Sequence, residues 1–220
     1  IFPDAFNSYL GQSILGRAIR NKIIAVKFYN PRDFTLDKHK KVDDRPYGGG
    51  PGMVMSVEPI IKAVENIKLG NLVSKLGKSP KVIFFSASGK QFTNSMARDL
   101  SRKRKSIILI AGHYEGIAAR VKKILRAEEI SIGPYILTGG ELPAMVLIDS
   151  ISRQIGGVLG KQSSLEEERV SGSEVYTRPE VLKFKGKKYK VPKIFLSGHH
   201  KKIEEYKALN GRVTCRPVDK

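Results

Sequence analysis

The amino-acid sequence predicts an α/β domain with a doubly wound parallel sheet up to about residue 160, followed by a small basic unit. Two short apolar runs, Lys81–Ser86 and Ser106–Ala111, end in small residues and suit strands that are buried on both faces of a parallel sheet. Helical patterns follow them, over Asn94–Arg104 and Ile117–Leu125. Strands that alternate with helices are typical of doubly wound folds. Ligands in such folds collect at the carboxyl ends of the strands.

The remaining elements of the larger domain are predicted from the same periodicities. Asn7–Asn21, Pro59–Lys68 and Pro143–Ile155 carry apolar residues at helical spacing. Lys22–Asn30 is predicted to be a strand. The polar, glycine-rich stretch Arg32–Pro51 is predicted to be a long loop.

The chain is predicted to contain two domains joined by a linker. Residues 161–176 are polar and poor in apolar anchors, which is typical of a flexible linker. Residues 1–160 then form the larger domain, and residues 177–220 form a small basic domain with a thin core. No internal repeat is visible.

The net charge of +19 is the strongest signal in the composition. Residues 1–160 hold 25 basic and 13 acidic residues, and residues 161–220 hold 15 and 8. The densest runs are Arg102–Lys105 and the eight lysines from Lys183 to Lys202, a span without an acidic residue. Clustered cations displace counterions from a phosphate backbone, so RNA or DNA is the expected partner. A solvated basic surface and an anionic lipid are the alternatives that charge alone leaves open.

Several classes of protein are excluded by the composition. The single cysteine, Cys215, rules out an internal disulfide and a cysteine-rich zinc site, and it fits a reducing cytoplasm. The four histidines show no metal-ligand spacing. No apolar run is long enough to span a bilayer and no signal peptide is visible, so we expect a cytoplasmic protein with no membrane partner.

Two glycine-rich segments are candidates for a binding site. Ser131–Met145 is apolar enough to be buried, but its glycines and prolines break it too often for one strand or helix. A small polar ligand could pair with its irregular backbone, although a core loop that satisfies its own turns is the alternative. Val42–Met53 places Asp43-Asp44-Arg45 close before a glycine run, which permits close backbone approach. It lacks the lysine and Ser/Thr of a P-loop.

Eight motifs occur in the order found in one family and together cover nearly the whole chain. They are Asn30–Thr35, Val42–Met53, Gly112–Gly116, Ser131–Met145, Leu147–Ser150, Gly157–Gly160, Tyr176–Glu180 and Ser197–His200. On these motifs the chain resembles the bacterial tRNA (guanine-N1)-methyltransferases that modify guanine 37, beside the anticodon.

The resemblance implies a SPOUT-type fold. In that fold the parallel sheet contains a deep trefoil knot, S-adenosyl-L-methionine is bound in a bent form, and a small, mainly helical C-terminal domain binds tRNA. It also implies an obligate homodimer whose sites are each completed by the partner subunit. The family usually has a short strand before the position of Ile1, so native residues are expected to precede it.

The resemblance also implies the catalytic residues. Guanine N1 carries a proton at neutral pH, so methylation requires a general base near N1 and benefits from a cation near O6. The family's catalytic arginine matches Arg153, which could otherwise be an ordinary helix-end arginine. The family's aspartate base falls on Glu168, with Glu166 and Glu167 as adjacent alternatives.

The family's cofactor-binding positions fall on the ends of the two predicted strands and on the glycine-rich segment. They are Phe84, Phe85, Ser86, Gly112, Tyr114, Glu115, Ser131, Ile132, Gly133, Pro134, Tyr135, Ile136, Leu137, Gly139, Gly140 and Pro143. Pro134 stands where the family commonly has Asp, and Ala118 and Ala119 stand where it has Asp and Glu. We expect these departures to alter the cofactor affinity, or the Mg²⁺ dependence that the family implies.

For RNA, the resemblance points to Arg32, Asp44, Arg45 and the lysine-rich C-terminal domain. His199 is a further candidate, either as an RNA contact or as a packing residue. Two alternative functions stay open. One is a related knotted methyltransferase that acts on another RNA, such as ribosomal RNA. The other is a non-catalytic RNA-binding protein on the same scaffold.

Overall fold

The computed structural model describes residues 1–70, 79–160 and 175–210, and the chain divides into two compact units, Ile1–Leu159 and Gly160–Lys220. The strands of the first unit are β1 (Asp43–Asp44), β2 (Val54–Met55), β3 (Lys81–Gln91), β4 (Ile107–Ile110) and β5 (Glu128–Ser131). Its described α-helices are α1 (Asn7–Leu10), α2 (Ser13–Arg20), α3 (Val57–Leu69), α4 (Asn94–Lys103), α5 (Arg120–Leu125) and α6 (Glu141–Ser152). Short 3-10 helices cover Pro3–Phe6 and Pro31–Phe34.

The three longest strands of the first unit form a parallel sheet in the order β4-β3-β5. The central strand pairs with β4 through Val82 and Ile108, and with β5 through Phe84 and Glu129. Because β4 and β5 lie on opposite sides of β3, the connection between them must cross the sheet, and α5 is part of that crossover. The predicted parallel α/β sheet is therefore confirmed.

Helices cover both faces of this sheet. On one face, α3 and α5 pack against it, with Ile60 and Val121 buried beside Ile110 of β4. On the other face, α4 and α6 pack against Ile83 and Ile130, which are completely buried. Apolar side chains on both faces of one strand explain why β3 begins as a continuous apolar run. A third cluster joins α1 and α2 to α6.

The central strand is longer and less regular than the predicted Lys81–Ser86. Its register shifts so that both Phe85 and Lys90 lie opposite Ile130 of β5. The residues between them bulge out of the sheet. The bulge closes at Gly89, where a Cβ atom would lie 2.7 Å from the carbonyl carbon of Ile130. Only a glycine allows this approach of two backbones.

One predicted strand and the start of one predicted helix are wrong, each for an identifiable reason. Lys22–Asn30 is not a strand, because no described segment pairs with it; Ile24 and Val26 instead pack as irregular chain into the cluster of α1, α2 and α6. The helix predicted from Ile117 begins three residues later, at Arg120. The first residues of the predicted helix pair with Met55 instead. Ile117 forms a bridge with Met55, and the Ala118 N–H donates to the Met55 carbonyl over 3.1 Å.

The N-terminal helix and the long loop are also more divided than predicted. Asn7–Asn21 forms two helices, α1 and α2, because the first ends at Gly11 and the carbonyl of Gly11 lies against Gly16. The predicted loop Arg32–Pro51 includes most of a 3-10 helix and also strand β1, which pairs antiparallel with β2.

The described part of the second unit, residues 175–210, contains a β-hairpin and two helices. Strands β6 (Val181–Phe184) and β7 (Lys187–Lys190) are joined by a two-residue turn at Lys185-Gly186, with φ of 45° and 74°. The helices α7 (Lys193–Leu196) and α8 (His200–Asn210) follow. The prediction of a mainly helical unit omitted the hairpin.

The core of this second unit is thin. Every residue of both hairpin strands is exposed. An open groove of about 690 Å³ is lined by Tyr176, Phe195 and Ile203, among others. Little apolar surface is buried here to stabilise the unit.

Gly89→Ala should lower the free energy of unfolding by about 1–3 kcal/mol, the usual cost of overpacking. The added methyl group would overlap the backbone of Ile130, which cannot rotate away as a side chain does. Chemical denaturation of both proteins measures the difference. Gly156→Ala is the matched control, because no atom lies within 4 Å of the added carbon; it should change stability by no more than about 0.5 kcal/mol. Equal effects of the two changes would contradict this reading of β3.

Candidate functional site

Two irregular loops meet at the carboxyl edge of the sheet. The first, residues 112–116, follows β4, and the second, residues 132–140, follows β5 and leads into α6. The N–H of Gly140 donates to the carbonyl of Gly112 over 2.7 Å, and His113 forms an isolated antiparallel bridge with Gly139. The predicted cofactor positions Gly112, Gly139 and Gly140 are therefore brought together.

Position 140 must be a glycine because the junction has no room for a side chain. A Cβ atom at position 140 would lie 2.8 Å from both the Cα of Ala111 and the N of Gly112. These neighbours are backbone atoms of the chain leaving β4, so they have no freedom to move aside. The glycine thus sets how closely the two loops approach.

The predicted RNA loop is joined to the first of these loops. The Glu115 N–H donates to the Met53 carbonyl over 3.0 Å, and the Met55 N–H donates to the Gly116 carbonyl over 2.9 Å. Gly52 lies against the side chain of Glu115, where an added Cβ would be 2.6 Å from the carboxylate stem. The contact between this part of Val42–Met53 and Gly112–Gly116 was not predicted, since no pattern in either sequence indicates that the two segments pair.

The second loop offers backbone and apolar groups at its surface. Its start is fixed by Ser131, whose buried hydroxyl donates to the Gly133 carbonyl over 2.9 Å. Beyond it, the Tyr135 hydroxyl donates to the Ile132 carbonyl, and Ile136 is 89% exposed. Among the described residues, no backbone hydrogen-bond partner is found for residues 135–137. Free backbone groups beside apolar side chains suit a small ligand with polar edges and apolar faces.

The predicted cofactor residues on β3 are placed differently from one another. Phe84 and Phe85 pack toward opposite faces of the sheet, in separate apolar clusters. The hydroxyl of Ser86 lies 2.9 Å from that of Ser88, which donates to Glu129 on β5. The side chain of Ser86 is thus engaged in the bulge of β3.

Glu129 is held as a carboxylate at this edge. A hydrogen bond from the Lys122 ammonium lowers the pKa of the Glu129 carboxyl group, and the serine hydroxyls add to the effect. This pair fixes the start of the crossover helix against β5. It also neutralises an acidic residue inside a strand.

Several other predicted cofactor positions surround the two loops. Tyr114 adopts a positive φ of 60° and is 41% exposed. Pro143 is buried in the first turn of α6, as predicted, although the helix begins two residues earlier than Pro143. Pro134 is exposed in the second loop.

Arg153 lies at the C-terminal end of α6, as expected of the predicted catalytic arginine. Its side chain is partly buried, and its Nε atom is buried with no hydrogen-bond partner in the described part of the chain. A buried guanidinium nitrogen without a partner is costly and marks the position as a candidate functional site. Glu168, with Glu166 and Glu167, lies outside the described residues.

The predicted RNA contacts differ in their exposure to solvent and in their hydrogen bonds. Arg45 is exposed, whereas Arg32 is partly buried and donates from Nη1 to the Lys40 carbonyl over 3.1 Å. The Arg45 backbone N–H, followed by the Lys41 ammonium, lowers the pKa of the exposed Asp44 carboxyl group. His199 belongs to the second unit, where its side chain is exposed.

Within residues 1–70, 79–160 and 175–210, no three His, Cys, Asp or Glu side chains are grouped to hold a metal ion. No helix in the described ranges is long and apolar enough to cross a bilayer.

Comparisons with known proteins match this chain over nearly its whole length. The family model for tRNA (Guanine-1)-methyltransferase TrmD matches residues 1–216. The chain is 48% identical over 211 residues to the tRNA (guanine-N(1)-)-methyltransferase of Clostridioides difficile strain 630, a match covering 94% of this chain and 87% of that protein.

Relatives from other bacteria give the same result. The protein of that name from Ruminiclostridium cellulolyticum is 48% identical over 211 residues, covering 94% of this chain and 86% of the relative. The one from Haemophilus influenzae Rd is 44% identical over 211 residues, covering 94% and 82%. These matches span both units, including the two loops and the end of α6. The chain therefore belongs to the tRNA (guanine-1)-methyltransferase family.

Proposed function

We propose that this protein transfers the methyl group of S-adenosyl-L-methionine to N1 of guanine 37 in tRNA, next to the anticodon. The observation that carries this proposal is the family match over residues 1–216, which includes every loop at the carboxyl edge of the sheet. Curated relatives bear the name tRNA (guanine-N(1)-)-methyltransferase. The exposed basic side chains support a polyanionic substrate, and tRNA would be met in the cytoplasm.

The two loops are the proposed methyl-donor site. S-adenosyl-L-methionine supplies an electrophilic methyl group on a sulfonium. The backbone groups of residues 135–137, which have no backbone partner among the described residues, would hold its polar edges, and the surrounding apolar side chains would exclude water. Gly112, Gly139 and Gly140 let the backbone approach a ligand without an intervening side chain. We propose that these loops belong to the trefoil knot of a SPOUT-type fold.

Proton removal from guanine N1 is assigned to Glu168 and stabilisation of charge to Arg153. A carboxylate within hydrogen-bond reach of N1 can accept its proton as the ring nitrogen attacks the methyl group. The Arg153 guanidinium would stabilise the negative charge that develops on guanine O6 or the carboxylate itself. Its buried Nε atom, which lacks a partner among the described residues, supports this role.

The length of α6 supports a homodimer with shared sites. The helix has 12 residues, so its ends are about 18 Å apart. The proposed donor loop precedes the first residue of the helix, and Arg153 follows its last. The distance between them exceeds the reach of an arginine side chain. A second subunit could bring its own Arg153 to the donor loop. The exposed apolar residues Leu142 and Val146 on α6 give a surface for that contact.

Contact with tRNA is assigned to the loop of Asp44 and Arg45 and to the basic second unit. Arg45 projects into solvent from a loop that is hydrogen-bonded to residues 115–116. It can therefore bind a phosphate close to the donor site. The exposed lysines of β6 and β7 would bind further phosphates without reading sequence. Arg32, through its backbone contact, would position this loop, and His199 is retained as a candidate contact.

Methylation of tRNA transcripts tests the function directly. With labelled S-adenosyl-L-methionine, a transcript with G at position 37 should accept label at N1, and one with A37 should not. Mass spectrometry of the digested RNA locates the methyl group. Label on ribosomal RNA alone would favour a related methyltransferase. Tight tRNA binding without any label would favour a non-catalytic RNA-binding protein.

Glu168→Gln should lower kcat by at least about 10²-fold, because the amide cannot accept the N1 proton. Binding of S-adenosyl-L-methionine, measured by calorimetry, should not change. Arg153→Ala should lower kcat in the same way. Glu166→Gln is the matched control and should retain activity. Loss of turnover in Glu166→Gln with an active Glu168→Gln would transfer the role of the base to Glu166.

Arg45→Gln should weaken tRNA binding and reduce its salt dependence. Loss of one phosphate contact lowers the slope of log Kd against log salt concentration by roughly 0.7–0.9. Filter binding at several salt concentrations measures this slope. Arg102→Gln is the matched control: this arginine is also exposed, but it lies at the end of α4, close to where the chain enters β4 from the opposite edge of the sheet. An equal change of slope in both variants would show that only net charge matters.

A further inference from the structure

A partly buried pair of titratable side chains lies beside the proposed donor loops and has no role in the mechanism above. His113 is in the loop that follows β4, and Glu141 is the first residue of α6. The Nδ1 atom of His113 and the Oε2 atom of Glu141 are 3.8 Å apart, and the side chains are 27% and 13% exposed. The pair thus links the loop after β4 to the start of α6, directly after the second loop.

Each member of the pair has an unsatisfied polar atom. His113 Nδ1 and Glu141 Oε1 are buried and make no hydrogen bond within the described part of the chain. Burying such atoms without a partner costs stability, so folded proteins contain few of them. Where they persist, a functional reason is the first explanation to test.

The pair packs directly against the backbone of the second loop. A Cβ atom on Gly139 would lie 2.2 Å from Glu141 Oε2 and 2.8 Å from His113 Nδ1. Gly139 therefore fits between the two side chains only because it has none. Any displacement of the carboxylate or the imidazole changes the space in which this backbone sits.

The imidazole itself is held in a fixed orientation. The ring of Phe2 contacts it edge to face with centroids 5.0 Å apart, and the ring of Tyr114 does the same at 5.0 Å. The His113 N–H of the main chain also donates to the Met55 sulfur over 3.3 Å. An imidazole packed between two aromatic rings, opposite a partly buried carboxylate, can define a distance between two loops.

We propose that Glu141 is a positioning residue for the methyl-donor site. Paired with His113, its carboxylate fixes Gly139 and Gly140 at the spacing from Gly112 that the donor requires. The inference rests on the proposed use of these loops for S-adenosyl-L-methionine. Glu141 acts through the loop backbone and takes no part in proton transfer from guanine.

Binding of S-adenosyl-L-methionine to the full-length protein tests this role. Glu141→Gln keeps the size of the side chain and removes its charge, and it should raise the Kd by about tenfold or more. At saturating donor, kcat should stay within about threefold of wild type, because the groups that meet guanine are unchanged. Glu141→Asp, which retains the charge, should bind the donor more tightly than Glu141→Gln.

His113→Asn and the double variant show whether the two side chains act together. If they do, His113→Asn raises the Kd too, and the double variant is no weaker than the weaker single variant. Fully additive losses would overturn the paired role. Thermal unfolding of every variant reports whether a loss of binding only reflects a less stable protein.

Glu128→Gln is the matched control. Its carboxylate pairs with Lys81 over 2.7 Å on the same sheet, with side chains that are 32% and 29% exposed. This change should leave the Kd unaltered. A Kd of Glu141→Gln within twofold of wild type overturns the proposal, as does an equal rise in Glu128→Gln. If wild type itself binds no S-adenosyl-L-methionine, the donor site and this proposal both fail.

Discussion

The close approach of Gly140 to the backbone of Ala111 and Gly112 is the constraint on which the candidate site depends. It joins the chain that leaves β5 to the chain that leaves β4, at a distance that excludes any side chain at position 140. The start of α6 follows directly and is therefore fixed by the same contact. Met53 and Met55 then hold the glycine-rich loop of Arg45 to residues 115–116. The proposed donor loops and the proposed RNA loop thus share one set of backbone contacts.

The length of α6 separates the proposed donor loop from Arg153, two groups that act at one place on the proposed mechanism. The helix carries the proposed donor loop at its beginning and Arg153 at its end, and no side chain spans that length. A single subunit therefore cannot bring the two groups together through this helix. Two antiparallel copies could pair the beginning of one helix with the end of the other. Such an arrangement would use the buried Nε of Arg153, which has no partner among the described residues, and the exposed Leu142 and Val146.

The sequence predicts those parts of the fold that are set by local pattern. The first residues of β3, and β4, were predicted because a strand buried on both faces is apolar at every position. Strand β5 was missed because Glu128 and Glu129 interrupt its apolar pattern; their charges are paired with Lys81 and Lys122 across the chain. Lys22–Asn30 was predicted wrongly, since its pattern cannot show whether a partner strand exists.

The site was predictable to a similar degree. The resemblance placed Gly112, Gly139 and Gly140 in one site, and the structure brings them together. It could not reveal that Gly89 closes a bulge, or that Ser86 bonds inside it, because both depend on a register shift between strands. His113 and Glu141 carry no signal in the sequence as a pair, because they become neighbours only where the two loops meet.

The resemblance implies that Pro134, Ala118 and Ala119 stand where the family has carboxylates, and this difference would change the balance of charge at the proposed site. S-adenosyl-L-methionine carries a net positive charge and tRNA a large negative one, so carboxylates near the donor attract the first and repel the second. Losing three of them should favour tRNA and weaken the electrostatic attraction for the donor. Pro134 acts in the other direction, since it restricts the exposed loop and lowers the entropy lost on ordering it. On this proposal, donor binding relies on a loop that is fixed at its start by the Ser131 hydroxyl and at its end by the hydrogen bond from Gly140 to Gly112.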